Sequence, residues 1–375
     1  MRRASMAALL GVFILLAGLT ARADDLTPYP AQDPAVPYPT ATWPEAPAES
    51  PARQAVEALL TPAFEGTRPP ALARTKAVLV VQRGMIVAER YAAAIARDTR
   101  LQSWSMAKSF LHATLGLAIA DGKLNPSAPA PVTEWKTPGD SRKSITLRQL
   151  AQMTDGLAFR EDYGDANAEA MQMLFGRGRG DVGTSAATAR SAAVPGTRWS
   201  YSSGSANILS RILRDTAGGR EAYRAFLQQR LFAPLGIKSA VPEFDASGTW
   251  IGSSYVHATA RDFARFGLLY LRGGAWEGRQ IVPREWIDIA RTPTMASKGE
   301  YGALFWLNAR NPDTGNPAIA ENIPEDTFLA RGFGGQLITI VPSRDAIVVM
   351  LNAAYTDDNK PIVNLVANVL SALPH

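Results

Sequence analysis

The chain has 375 residues, 46% hydrophobic and 19% charged, a balance that buries a large core and excludes a disordered or fibrous protein. It has no cysteine and three scattered histidines, His112, His257 and His375, which excludes disulfides, thiolate metal sites, a cysteine nucleophile and any clustered histidine metal centre. Much of the formal charge of +5 sits at the N-terminus.

There, Arg2 and Arg3 precede the apolar run Ala7–Leu19 and the small-residue site Ala21-Arg22-Ala23, which together read as a secretory signal peptide over residues 1–23. Its removal takes away three arginines and leaves 352 residues with a formal charge of +2, which argues against a nucleic-acid partner. No later stretch has 18 uninterrupted apolar residues, so no membrane span is expected after cleavage. The expectation is an exported protein, periplasmic in a Gram-negative cell. Residues 28–51 hold eight prolines, so 24–55 reads as an extended leader segment. The run 76–91 has two β-branched stretches around Arg83-Gly84, a hairpin signal. Trp104–Ala120 is long, apolar and rich in Ala and Leu, which favours a buried helix. From 122 to 244 the signals are helical and loop-like, including 146–153 and 205–216. A helix follows over 259–272. Gln336–Val341 and Ala346–Asn352 read as a second hairpin, and 361–373 as a closing helix.

Strands thus lie at both chain ends, joined without crossover helices, which favours antiparallel pairing. The fold class is α+β: one antiparallel sheet built from both termini and flanked by helices (56–121 with 245–375), carrying a mostly helical insert domain (122–244).

Three motifs bear on chemistry. Ser105 and Lys108 are spaced i, i+3 at a helix start, so a hydroxyl and an amine share one face beside unpaired backbone N–H groups. A neutral amine there takes the serine's proton. Tyr201-Ser202-Ser203 sits before a helix, where a phenol relays a proton to a leaving group. Arg331-Gly332-Phe333-Gly334-Gly335-Gln336 brings three glycines next to a strand, which implies close backbone approach to a substrate carbonyl or a β-bulge.

Taken in order, Ser105-x-x-Lys108, Tyr201-x-Ser203 and the C-terminal Gly-rich segment resemble the penicillin-recognising serine hydrolases. These include class C β-lactamases, DD-peptidases, family VIII esterases and 6-aminohexanoate-dimer hydrolases. Met153–Leu157, Pro195–Ser203 and Asp262–Gly267 also look like segments of that family, and the resemblance spans residues 76–352. The segment Phe159–Asp165 and the motif Gly332–Gln336 resemble the 6-aminohexanoate-dimer hydrolase branch most. The resemblance implies a β-lactamase/DD-peptidase-like fold and an acyl-enzyme mechanism that needs no cofactor or metal. Ser105 is then the nucleophile, and Lys108 and Tyr201 share acid–base duty. The main-chain N–H groups of Ser105 and Phe333 hold the oxyanion. Tyr163, Ser203, Gly332, Gly334, Gly335 and Gln336 meet the substrate, a small amide or ester. Two departures stand out: Ala330-Arg331-Gly332 replaces the usual Lys-Thr-Gly or His-Thr-Gly, and Ser203 replaces a common asparagine. A β-lactamase, a DD-peptidase and a catalytically weak cell-wall-binding protein of the same fold are the alternatives. The oligomeric state has no signal in the sequence.

Overall fold

The structure is a computed structural model and describes residues 26–354, 356 and 358–375. The signal-peptide reading of 1–23 falls outside the described residues. Six antiparallel strands form the main sheet: β1 (Ala77–Gln82), β2 (Met85–Tyr91), β3 (Trp306–Leu307), β4 (Phe328–Gly332), β5 (Gln336–Val341) and β6 (Ala346–Leu351). Their order is β2-β1-β6-β5-β4-β3, so strands from the two chain ends meet at the β1–β6 pair, with Ala77 opposite Leu351. Arg83 and Gly84 turn the first hairpin with φ of 50° and 77°, the left-handed pair that matches strand twist.

Helices cover both faces: α1 (Pro51–Phe64), α2 (Ala107–Ala120), α3 (Ser203–Ala217), α4 (Ala260–Leu271) and α5 (Lys360–Ala372). Strand alternation sorts two cores. Leu79, Ala330, Ile338 and Ile347 face α2 and α4. Val80, Leu329, Leu337 and Val348 face α1 and α5. Gly267 lets α4 sit directly on the sheet, since a Cβ there would stand 2.9 Å from Ile338. No helix among the described residues is long and apolar enough to cross a membrane.

The sequence-derived boundary at residue 55 falls inside α1, whose first turn is capped by Ser50 accepting from the Arg53 N–H at 3.3 Å. The described part of the proline-rich leader, from residue 26, wraps against the body of the protein. Tyr29 donates to Asp288 at 2.6 Å, Arg265 donates to the Pro39 carbonyl at 2.7 Å, and Trp43 is buried. The predicted helix over 104–120 is two elements, a 3₁₀ turn at Trp104–Met106 followed by α2. The insert packs α3 among short helices at Leu147–Ala151, Glu169–Leu174 and Val182–Ala187. It ends in the strand Val241–Pro242, which pairs with Val256–Ala258.

Candidate active site

Ser105 is placed by the small sheet in front of it. Leu101–Gln102 pairs with Val256–Ala258, and the Ser103 hydroxyl accepts from the Val256 N–H at 3.1 Å. The chain then turns at Trp104, whose φ of 46° is left-handed. Such a conformation costs a bulky residue about 1–3 kcal/mol and persists only where surroundings enforce it. The Trp104 ring is held between Tyr255 and Phe333, at centroid distances of 5.9 and 5.8 Å. Ser105 follows at the cleft wall, and Lys108 lies one turn on, in the first turn of α2.

Lys108 is 1% exposed and has three oxygen partners. Its Nζ donates to Ser105 Oγ at 3.0 Å, to Ser203 Oγ at 3.1 Å and to the Ser253 carbonyl at 2.8 Å. It also stands 4.7 Å from the centroid of the Tyr201 ring, where the π-face attracts a cation. Tyr201 lies in the loop ahead of α3 and walls the same cleft. Ser202 is the helix cap, accepting from the Ser205 N–H at 3.1 Å, which leaves the Ser203 hydroxyl for the lysine.

Sequence reasoning missed three residues that set this arrangement. Glu161 closes the N-terminus of α3: its Oε2 accepts the Ser203 N–H at 2.8 Å, and its Oε1 accepts the Ser203 hydroxyl at 2.5 Å and the Tyr163 phenol at 2.6 Å. Desolvation of the hydroxyl, then the neighbouring Glu161 carboxylate, push the Tyr163 phenol well above its usual range, although its ring is largely exposed. Asn207 braces Ser253 from both sides, donating to its Oγ at 3.1 Å and accepting from its N–H at 3.2 Å. The Ser253 carbonyl is thereby aimed at Lys108. The Thr154-Asp155-Gly156 segment is structural support. Asp155 accepts from the Ser205 hydroxyl at 2.6 Å and from the Leu157 N–H at 2.9 Å, and burial raises its carboxyl.

The turn between β4 and β5 forms the opposite wall, with Gly332, Phe333, Gly334 and Gly335 lining the cleft beside Ser105. A Cβ on Gly332 would collide with the Ser103 carbonyl, so only glycine lets the two segments approach. Gly334 and Gly335 take φ of 76° and 84°, a hairpin turn rather than a bulge within a strand. The Phe333 ring packs 6.3 Å from Tyr163. Gln336 corrects an expectation. Its amide accepts from the Asn352 N–H at 3.1 Å and donates to the Asn352 carbonyl and to the Phe333 carbonyl. The side chain is 3% exposed and braces the turn instead of meeting substrate.

Ala330 points into the core under α2 and α4, whereas Arg331 lies on the other sheet face with Leu329. Its guanidinium stands 5.5 Å from the centroid of the Trp306 ring. His112 is fully buried, stacked on Trp286 at 4.7 Å and bonded to Tyr270 at 2.7 Å, away from Lys108's partners.

The Ser105 hydroxyl and the Tyr201 phenol thus line one cleft of about 1280 Å³, with the buried Lys108 amine behind the serine at 3.0 Å. A family model described as Beta-lactamase matches residues 70–369. The chain belongs to the beta-lactamase family. It is 24% identical over 331 residues to the 6-aminohexanoate-dimer hydrolase of Paenarthrobacter ureafaciens, covering 79% of this chain and 77% of that one. Among solved structures it is similar to EstCE1, a hydrolase with promiscuous acyltransferase activity (TM-score 0.65, 16% identity, 86% of this chain and 100% of the other). It is also similar to a penicillin-binding protein homologue from Caulobacter crescentus (TM-score 0.64, 17% identity, 86% and 98%). At these identities the structural likenesses establish the fold. The beta-lactamase-family chain is a hydrolase related to these proteins, with the mixed helix and antiparallel-sheet architecture expected from the sequence.

Proposed function

We propose that this protein is an exported serine hydrolase that cleaves a small amide or ester through an acyl-enzyme. The observation that carries the reading is the set of three oxygens around Lys108. The Ser253 carbonyl can only accept. The Ser203 hydroxyl spends its proton on Glu161, so it too presents only lone pairs to the lysine. Two N–H bonds of Nζ are therefore committed, and its third position faces Ser105 Oγ. In the neutral amine that position is the lone pair.

Ser105 Oγ then attacks the substrate carbonyl while its proton passes to Lys108 Nζ. The main-chain N–H groups of Ser105 and Phe333 hold the oxyanion. As the C–N or C–O bond breaks, the proton returns from Lys108 by way of the Tyr201 hydroxyl to the leaving group, and the acyl group stays on Ser105. A water then attacks the acyl carbon, its proton passes back along the same path to Ser105 Oγ as the acyl–Oγ bond breaks, and the acid leaves. The left-handed Trp104 fixes where Ser105 Oγ points, and Tyr163 supplies the far wall. The export reading rests on residues 1–23 of the sequence.

The test is the pair Lys108→Ala and Tyr201→Phe, assayed with p-nitrophenyl acetate. Each is expected to lower kcat by about 10²–10⁴, and the double variant by far less than the product, because the two residues act on one proton. Multiplicative losses would contradict a shared path.

A further inference from the structure

The small sheet that positions Ser105 has an open pocket of about 590 Å³ at its opposite end. Arg100 leads into the strand Leu101–Gln102, Lys238 and Ser239 lead towards Val241–Pro242, and Thr259 follows Val256–Ala258 as the cap of α4. None of the residues lining this pocket lines the cleft at Ser105.

The lining presents five cations, Arg97, Arg100, Lys238, Arg261 and Arg265, against the carboxylates of Asp98 and Asp262. Asp262 is buried and already spent. It accepts from the Lys238 and Ser239 N–H groups at 3.0 and 2.8 Å, from the Ser239 hydroxyl at 2.6 Å and from Arg265 at 2.6 Å. Outside the lining, Glu89 holds Arg97 and Arg261 at 2.6 Å each, and Glu45 also holds Arg261. Asp98, exposed on the rim, is the lining carboxylate with no partner among the described residues.

Three of the cations keep donors unspent. The Lys238 ammonium has no partner among the described residues. Arg100 spends only its Nε, on the Ser239 carbonyl at 2.9 Å. Arg265 is 8% exposed and spends Nε on the Pro39 carbonyl at 2.7 Å and Nη1 on Asp262, which leaves Nη2 without a hydrogen bond. Burial lowers the Arg265 guanidinium from its ordinary value, and Asp262 offsets only part of that.

A buried charge is costly unless opposite charge meets it. Unspent donors on three cations around one hollow therefore call for an anion. A carboxylate brings two oxygens and one charge. A phosphoryl group brings three oxygens and close to two charges near neutral pH, which suits two guanidinium forks and an ammonium. We propose that this pocket binds a phosphoryl group, free or carried on a larger molecule. The site is separate from the reaction at Ser105 and does not depend on it.

Isothermal titration calorimetry of the purified protein with inorganic phosphate, in low-salt buffer, reads the site. Ser105→Ala is expected to bind as wild type does. Arg100→Ala and Lys238→Ala are each expected to weaken phosphate about tenfold or more. Asp98→Asn is expected to tighten it, because a like charge leaves the rim; this gain cannot come from a damaged fold. Acetate is expected to bind at least tenfold more weakly than phosphate. Vesicles of phosphatidylglycerol with phosphatidylcholine separate the two sources. Co-sedimentation that inorganic phosphate blocks would support the site and assign it to a lipid headgroup. Phosphate binding without co-sedimentation would support it and assign it to a soluble phosphate. Equal phosphate binding by wild type and the Arg100→Ala, Lys238→Ala double variant would overturn the site. So would acetate binding as tightly as phosphate, or phosphate giving neither heat nor a rise in melting temperature.

Discussion

Glu161→Gln separates the reacting residues from what aligns them. The carboxylate takes three donors: the Ser203 N–H at 2.8 Å, the Ser203 hydroxyl at 2.5 Å and the Tyr163 phenol at 2.6 Å. A glutamine of the same shape offers one oxygen and one NH₂. With the NH₂ at the Ser203 N–H the contact is donor–donor, and with it at the Ser203 and Tyr163 hydroxyls both of these must turn and accept instead of donating. If the NH₂ faces the Ser203 hydroxyl, that hydroxyl turns and offers its proton to Lys108 Nζ, in competition with Ser105. Hydrogen bonds to charged groups are worth about 1.5–3 kcal/mol. Charged to the transition state, that is about ten- to a hundredfold in kcat, at roughly 1.4 kcal/mol per factor of ten. Glu161 aligns groups that reach the substrate through Ser203, so KM for p-nitrophenyl acetate should move little. Steady-state kinetics and a thermal melt of the same preparation check both halves. A folded Glu161→Gln protein with unchanged kcat would show that the Ser203 hydroxyl needs no fixed direction, and the argument for a committed Lys108 would fall.

The other predictions concern stability and substrate range. Burial pushes the His112 imidazole down to about 3, so the folded protein holds it neutral while the unfolded chain protonates it below about 6.5. Its stabilising contribution is therefore complete above pH 6.5 and falls as pH drops from there towards 3, by about 1.4 kcal/mol per pH unit. Urea denaturation between pH 7 and 4.5 should show that slope in wild type and lose it in His112→Phe; parallel profiles would refute the assignment. Ala330, buried in the core, offers no cation to a β-lactam carboxylate, and a missing charge-assisted bond costs about 1.5–3 kcal/mol. Nitrocefin should accordingly be turned over at least tenfold less efficiently than p-nitrophenyl acetate. A nitrocefin preference that Arg331→Ala abolishes would put the cation on Arg331 and reverse the substrate reading.

How much was legible follows from range. Ser105 and Lys108 are three residues apart on one helical turn, and Tyr201 and Ser203 flank a helix start, so local spacing exposes them. Glu161, Asn207 and Ser253 act across separations of 42, 46 and 145 residues, and no local pattern marks such pairs. The one available signal was the resemblance of the segment 159–165, which drew attention to Tyr163 and passed over the carboxylate two residues before it. Gln336 was misread because a glutamine beside a glycine-rich turn looks the same whether it faces a cleft or folds back on Asn352. Both long hairpins were legible from their β-branched runs. The edge strand β3 was not, because two residues show no alternation, yet it carries Trp306, which lines the cleft. The 3₁₀ turn before α2 was also invisible, since its cause is the left-handed Trp104 held by Tyr255 and Phe333.

The central claim is that Ser105 is the nucleophile. A fluorophosphonate added to the purified protein and followed by intact mass and peptide mapping tests it most directly. One covalent adduct is predicted, in the peptide containing Ser105, absent in Ser105→Ala and much slowed in Lys108→Ala. Equal labelling of Ser105→Ala and wild type would contradict the account.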